Sequence, residues 1–483
     1  MRILLASSEV HPYSKTGGLA DMVGALGKHL ARAGHQVGLV TPLYAGIREK
    51  FPAMARFGNP LQLMLGHQPT TAEIWALEPI NGLTIYFVDQ PDFYQRPALY
   101  QRDGADFPDN AERFIFFSKV VAHLALTLPW NPEVVHAHDW QAGLVPLLMQ
   151  EEARLGKTGQ GRVLPRTFFT IHNLAYQGLF PISRYALTNL SWSHFTAAGL
   201  EFYGQLSCLK AGIAYSDYVT TVSPRYSKEI TTTEYGCGLD GFLQDHQAKL
   251  VGILNGVDYE EWNPETDNTI QAPYSAADLN GKAANKAALQ EEMKLPVDAN
   301  VPLLGSINRL VEQKGVDIQL GALEEMLGAD LQFVLLGSGN PTFEQAYVDL
   351  AKRHPTKVAV QIGYNHGLSH RIEAGTDFFL LPSRFEPCGL NQMYSLRYGS
   401  VPIVRATGGL DDTVIDFSES PESANGIKFS EYSSTALARA IRKGLAIYDE
   451  PELLEHYRMN GMAADFSWSR TADQYLSLYR KAP

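Results

Sequence analysis

Cysteine is scarce in this chain: only Cys208, Cys237 and Cys388 occur among 483 residues. Three thiols at that spacing exclude a disulfide framework and a zinc knuckle, and suit a reducing compartment. Positive charge is also in short supply, with 40 Lys and Arg against 52 Asp and Glu, a net charge of −12. That balance argues against general attraction to nucleic acid or an anionic membrane. No window approaches the ~20 apolar residues of a membrane-crossing helix. The first residues carry one basic group and a short apolar run, "ILLA", before Glu9 and His11. No secretory signal is expected from them, and a cytoplasmic location is. Low-complexity segments and short repeats are missing as well. No strand ends in G-x-G-x-x-G, which disfavours a nicotinamide oxidoreductase.

What is present is a long alternation of short apolar strands and helical patterns, the signature of parallel sheets covered by helices. The length is too great for one core, so two domains are expected. "RILLASSE" reads as the first strand, and Leu19, Met22, Val23, Leu26 and Leu30 form the buried stripe of the helix that follows. "HQVGLVTP", "PEVVHAHDW", "PRTFFTIHN", "DYVTTVS" and "KLVGILNG" read as later strands. Turn formers and acidic residues then dominate, which places a domain junction near residues 255–270. Beyond it "VPLLGSINRL", "LQFVLLGSG", "KVAVQIGY", "DFFLLPSR" and "SVPIVRA" read as five further strands. The expected fold class is α/β, two Rossmann-like domains facing across a deep cleft. Ligands of such sheets bind outside the carboxyl ends of the strands, so polar strand ends are where chemistry is sought.

Several strand ends carry such residues. "SKTGGLAD" puts Lys15, Gly17 and Gly18 before a helix start. It reads equally as an anion cradle or as a flexible turn with a solvated lysine. The segment fits neither G-x-x-x-x-G-K-[ST] nor G-x-G-x-x-G. "NRLVEQKG" places Arg309 at a strand end and Lys314 before Gly315, while "RATGGLDDTV" supplies Thr407, Gly408, Gly409 and Leu410. Two cations and two glycine-led helix starts in one domain suggest a diphosphate site. In "SRFEPCGLNQ", Glu386 is either a helix-capping group or a carboxylate for sugar hydroxyls or developing positive charge. Cys388, with Gly389 and Leu390 after it, is either a low-pKa nucleophile or a packing and substrate contact, and no base nearby in sequence favours the former. His136 and His138 in "HAHDWQAG" share a strand face as metal ligands sometimes do, but no third-ligand motif accompanies them, so no metal is expected. His172 ends another strand.

In order and spacing these segments resemble the bacterial glycogen synthases and plant starch synthases, retaining glycosyltransferases of the GT-B fold. The resemblance also rests on "TVSPRYSKEI", "GLDGFL", "GILNGVDYEEWNP", "LGSG" and "SHRIEAGTDFFLLPSRFEPCGLNQMYSLRYG". It spans nearly the whole chain. It implies an acceptor-side domain at 1–258, a donor-side domain at 259–464, and a C-terminal helix at 465–483 returning to the first domain. It implies transfer of glucose from ADP-glucose to the 4-hydroxyl at the non-reducing end of an α-1,4-glucan, with retention and without a cofactor. By resemblance Glu386, Arg309, Lys314 and His172 are catalytic. Lys15, Gly17, Gly18, Asp21, Asn255, Tyr364, Cys388, Gly389, Leu390, Thr407, Gly408, Gly409 and Leu410 contact the donor side, with Tyr364 near adenine. Asp139 and Trp140 lie toward the acceptor. Tyr394 stands where many GT-B enzymes carry a second glutamate, and Asn308 where serine is common. The alternatives are a GT-B glucosyltransferase using UDP-glucose, a phosphorylase-like enzyme, and a non-catalytic glucan-binding protein.

Overall fold

The computed structural model of the chain describes residues 1–102, 104–156 and 163–481. The chain divides into two compact units. One comprises Met1–Val222, Ser227–Ile253 and Thr471–Pro483; the other comprises Ser223–Tyr226 and Leu254–Arg470.

The main sheet of the first unit begins with Arg2–Ala6, whose Ile3, Leu4, Leu5 and Ala6 are fully buried. Burial on both faces is what helices on both sides of a parallel sheet demand. Across the sheet the strands run Leu250–Gly252, Tyr218–Thr221, Arg166–Ile171, Val134–His138, Arg2–Ala6, Gln36–Pro42 and Leu83–Asp89, all parallel. Gln68–Ile80 then pairs antiparallel with Leu83–Asp89. The strand order therefore reverses between Arg2–Ala6 and Val134–His138. Helix Gly18–Arg32 buries Leu19, Met22, Val23, Leu26 and Leu30, the stripe expected from their spacing. In the last helix, Trp468–Lys481, Tyr475 and Tyr479 are buried, and the Tyr479 hydroxyl lies 2.7 Å from His136 Nδ1.

The second unit holds six parallel strands in the order Val358–Ile362, Gln332–Gly339, Leu303–Leu310, Phe378–Leu381, Val401–Arg405 and Ile427–Phe429. Alternate residues feed two cores. Leu304, Phe333, Leu335, Phe378 and Leu380 pack into one, while Leu303, Val334, Leu336, Phe379 and Leu381 pack into the other. That period of two is the strand signature, and burial of both faces explains the nearly unbroken apolar runs. Here too the order reverses once, between Leu303–Leu310 and Phe378–Leu381. Such a reversal opens a crevice at the carboxyl ends of the two central strands. The sequence reading placed five strands here; Ile427–Phe429 is a sixth, at the edge.

Candidate active site

In the second unit the reversal point collects charge. Arg309 stands exposed at the end of Leu303–Leu310, and Lys314 follows in the short turn Glu312–Lys314. From the neighbouring strand Phe378–Leu381 the chain continues to Ser383 and Glu386. Lys314 Nζ lies 2.6 Å from Glu386 Oε2, and the Ser383 hydroxyl donates to the same oxygen at 2.9 Å. Glu386 is buried, so this ion pair sits in a medium where a charge needs its partner. Glu386 is also fixed through its backbone, since its carbonyl accepts from Gly409 N at 3.1 Å.

The glycines here serve close backbone approach. A Cβ at Gly315 (φ +69°) would stand 2.0 Å from the Pro382 carbonyl oxygen. One at Gly408 (φ +46°) would stand 1.9 Å from the Glu386 carbonyl oxygen, and one at Gly409 1.9 Å from that of Cys388. Only glycine allows these segments to touch. The "TGG" turn thus rests directly on the chain between Glu386 and Cys388. Thr407 and Leu410 are fully buried beside it, and Leu410 belongs to the core. Gly389 (φ +72°) and Leu390 precede helix Asn391–Arg397 and are half-buried. Burial pushes the Cys388 thiol up to about 12, against a hydrogen bond from the Asn255 backbone. A thiol at that value is protonated at neutral pH and is a poor nucleophile. Asn255 itself is buried, with its Oδ1 lacking a hydrogen-bond partner among the described residues. Tyr364 stands apart from this cluster, 78% exposed, its hydroxyl 3.4 Å from His366 Nδ1.

In the first unit the reversal point holds a different set. Lys15 pairs with Asp21 at 2.8 Å on the surface, and Gly18 opens the helix. Beyond Gly17 the space is open, for a Cβ there would meet nothing within 4 Å. The amides of this turn are not bare, however. Glu9, buried three residues beyond the first strand, accepts from the Thr16 backbone N–H, from Gly17 N at 3.3 Å and from Thr16 Oγ1 at 2.6 Å. Tyr100 donates to the same carboxylate at 2.7 Å. The anion in this cradle is the chain's own. Sequence reasoning misses Glu9, which lies three residues beyond the strand Arg2–Ala6 and eight before Gly17, with no local spacing to tie it to the turn.

The strand Val134–His138 ends in Asp139, whose φ of 55° and ψ of 178° belong to a region that costs a non-glycine residue about 1–3 kcal/mol. Such strain concentrates at functional sites. Asp139 Oδ1 accepts from His172 N at 2.7 Å, and burial raises its carboxyl to about 7. His138 Nδ1 lies 3.1 Å from His172 Nε2, while His138 Nε2 is buried without a partner among the described residues. Burial lowers His136 and His172 to about 3 and His138 well below its usual value. All three rings are neutral at pH 7. His172 therefore serves there as a hydrogen-bonding group and not as an imidazolium. His136 is engaged on both nitrogens, by Tyr479 and by Thr170 Oγ1 at 2.6 Å. Trp140 packs edge-on against Phe114 and Phe180, and Gly178 (φ +60°) leaves room for its ring.

Comparison with known proteins identifies this arrangement. A family model described as "Starch synthase catalytic domain" matches residues 2–245, and one described as "Glycosyl transferases group 1" matches 290–462. A glycogen synthase of Syntrophotalea carbinolica is 44% identical, the match covering 100% of this chain and 99% of the relative. One of Thioalkalivibrio sulfidiphilus is 47% identical, with 99% of each covered. The catalytic domain of starch synthase IV from Arabidopsis thaliana, solved bound to ADP and acarbose, superposes with a TM-score of 0.88 at 33% identity, covering 99% of this chain and 98% of that one. A sucrose-phosphate synthase from Thermosynechococcus elongatus shares the fold, with a TM-score of 0.62 at 19% identity. No helix among the described residues is long and apolar enough to cross a membrane. The chain is an enzyme with two α/β domains of the GT-B type, and it belongs to the glycogen and starch synthase family of glycosyltransferases.

Proposed function

We propose that this glycogen synthase transfers glucose from ADP-glucose to the 4-hydroxyl at the non-reducing end of an α-1,4-glucan, retaining the anomeric configuration, in the cytoplasm. The observation that carries the proposal is the Lys314–Glu386 pair at the strand-order reversal of the second unit, beside Arg309. The ADP in the starch synthase IV structure supports the choice of nucleotide. On this reading residues 259–464 form the donor side, residues 1–258 the acceptor side, and 465–483 complete the first domain.

Cleavage of the glucose–diphosphate bond leaves positive charge on the sugar and added negative charge on ADP. Arg309 and Lys314 stabilise the leaving diphosphate, helped by Lys15. Each such cation contributes ~3 kcal/mol, roughly 100-fold in rate. Glu386 holds Lys314 in place and offers a carboxylate to the sugar. Asp21, His172 and Asn255 hydrogen-bond glucose hydroxyls, with His172 acting as a neutral imidazole. The "TGG" turn at Gly408 and Gly409, with Thr407 and Leu410, meets the donor through backbone groups, as do Gly389 and Leu390 after Cys388. Gly17 and Gly18 let the donor approach the backbone. Tyr364 stacks on adenine, and Asp139 and Trp140 bind the acceptor. The protonated Cys388 thiol supplies no covalent intermediate. The reaction then proceeds by front-face attack, the leaving phosphate accepting the proton of the acceptor hydroxyl.

The test is a donor comparison with glycogen as acceptor. Nucleotide release and glucan elongation are expected from ADP-glucose at a kcat/KM at least tenfold above that from UDP-glucose. Preference for UDP-glucose, or glycogen binding without nucleotide release, would replace this reading.

A further inference from the structure

A second cluster in the second unit lies outside the residues proposed for catalysis. Helix His366–Gly375 carries histidines at its first and fifth positions, His366 and His370. Residues four apart share a helix face, and the two rings lie 4.7 Å apart. Glu261, from the segment between Asn255 and the helix Asn280–Glu292, completes the group. One ligand atom from each of Glu261, His366 and His370 lies within 4.8 Å of the others. Glu261 Oε1 stands 3.3 Å from His366 Nε2. For zinc bonds of 2.0–2.1 Å, the edge of a tetrahedron is about 3.3 Å.

The arrangement of His370 separates this cluster from a surface ion pair. The residue is 2% exposed, and its Nε2 has no hydrogen-bond partner among the described residues. Its other nitrogen, Nδ1, lies 2.7 Å from Asp267 Oδ2. Asp267 is itself held by the Tyr398 hydroxyl at 2.6 Å and by Thr269 N at 2.8 Å. A carboxylate at Nδ1 assigns the ring proton to that nitrogen and leaves the Nε2 lone pair available to a metal. This carboxylate–histidine pairing is what orients and strengthens imidazole ligands of metals. The ring is also fixed in plane, because Trp262 stacks on it at 3.9 Å and on Tyr394 at 3.8 Å. Trp262 is the neighbour of Glu261, so the same stack positions the third ligand.

We propose that Glu261, His366 and His370 form a binding site for one divalent transition-metal ion of the zinc class, with Asp267 as the positioning carboxylate behind His370. Two imidazoles and a carboxylate suit zinc and cobalt better than calcium or magnesium, which prefer all-oxygen sets. Glu261 and His366 are exposed, so the fourth position is open to water. The bound ion ties the segment carrying Glu261 and Trp262 to the helix that begins two residues after Tyr364.

The test uses the untagged full chain, stripped with a chelator and titrated with cobalt(II), then zinc(II). One cobalt per chain is expected, with the strong visible absorption of a four-coordinate ion that zinc abolishes. His366→Ala and Glu261→Gln change exposed side chains and keep the fold; each should weaken binding at least tenfold. Asp267→Asn should weaken it about 10- to 100-fold. Absence of stoichiometric binding, a weak six-coordinate spectrum, or affinity unchanged in both surface variants would overturn the site.

Discussion

At the scale of single residues, the Lys314–Glu386 pair lets experiment separate a catalytic carboxylate from a capping one. The two partners are unequally buried, with side-chain exposures of 20% and 8%. Lys314 can reach water when Glu386 is removed. Glu386→Ala should therefore lower kcat by at least about 100-fold, ~3 kcal/mol, with little change in melting temperature. Lys314→Ala strands a buried carboxylate with only Ser383, among the described residues, to bond it, and should lose about 1–3 kcal/mol of stability as well as activity. Steady-state kinetics and thermal melts of both variants check this. A melting temperature that falls as far in Glu386→Ala as in Lys314→Ala would make the carboxylate structural. Glu386 and Lys314 stood out in the sequence because each follows a strand-like apolar run by a few residues, Lys314 directly before Gly315 and Glu386 three residues before Gly389. Glu9 did not, because "RILLASSE" reads as strand to its last residue, whereas the strand stops at Ala6. Tyr394 showed only as a missing glutamate; its ring stacks on Trp262, a contact between distant segments that no local spacing announces.

At the scale of elements, the strand Val134–His138 and its neighbour carry three neutral histidines. Their folded values lie below the ordinary one near 6.5, so the unfolded chain gains protons first as pH falls. Stability should drop from about pH 6.5 toward pH 3. Asp139 works oppositely. Raised to about 7, it keeps a proton in the folded chain that the unfolded chain has lost above about pH 4, so its contribution falls as pH rises in that window. It cancels roughly one histidine. His136→Gln can keep hydrogen bonds to Tyr479 and Thr170 while removing one titrating ring. Its unfolding free energy from urea melts, followed over pH 4–6, should fall less steeply than that of the parent, by up to about 1.4 kcal/mol per pH unit. Parallel slopes would mean that His136 is protonated in the folded chain. The elements themselves were legible where both faces are buried. The arm Gln68–Ile80 was passed over because its exposure is mixed and lacks clean alternation, and the edge strand Ile427–Phe429 because three residues are too few to show a period.

At the scale of the whole molecule, the parallel strands of both units follow one order, in which the first lies beside the fourth and the chain winds outward to either side. Their sequences show no repeat; the alternation of strands and helices announces the shared architecture, and the pairing adds the shared strand order. The net charge of −12 bears on substrate use. A glucan is neutral and gains nothing from that field, whereas a sugar nucleotide is anionic and depends on local cations. Raising salt to ~0.5 M should therefore raise the KM for ADP-glucose several-fold and leave that for glycogen nearly unchanged. Kinetics at fixed glycogen and then at fixed donor check this. Equal salt sensitivity for both would remove Arg309, Lys314 and Lys15 from donor binding.

The carboxylate of Glu9, seated on the amides of Thr16 and Gly17, has a consequence for ligand entry. A glycine turn whose N–H groups converge is disordered until something negative fills it. Here the filling is built in, so the turn takes its shape during folding and the arriving substrate need not impose it. Any group that competes for those amides must displace a tethered rival at very high effective concentration. The turn is therefore a ready-made wall beside Lys15, and on the proposed reading selectivity for an incoming anion would fall to the lysine.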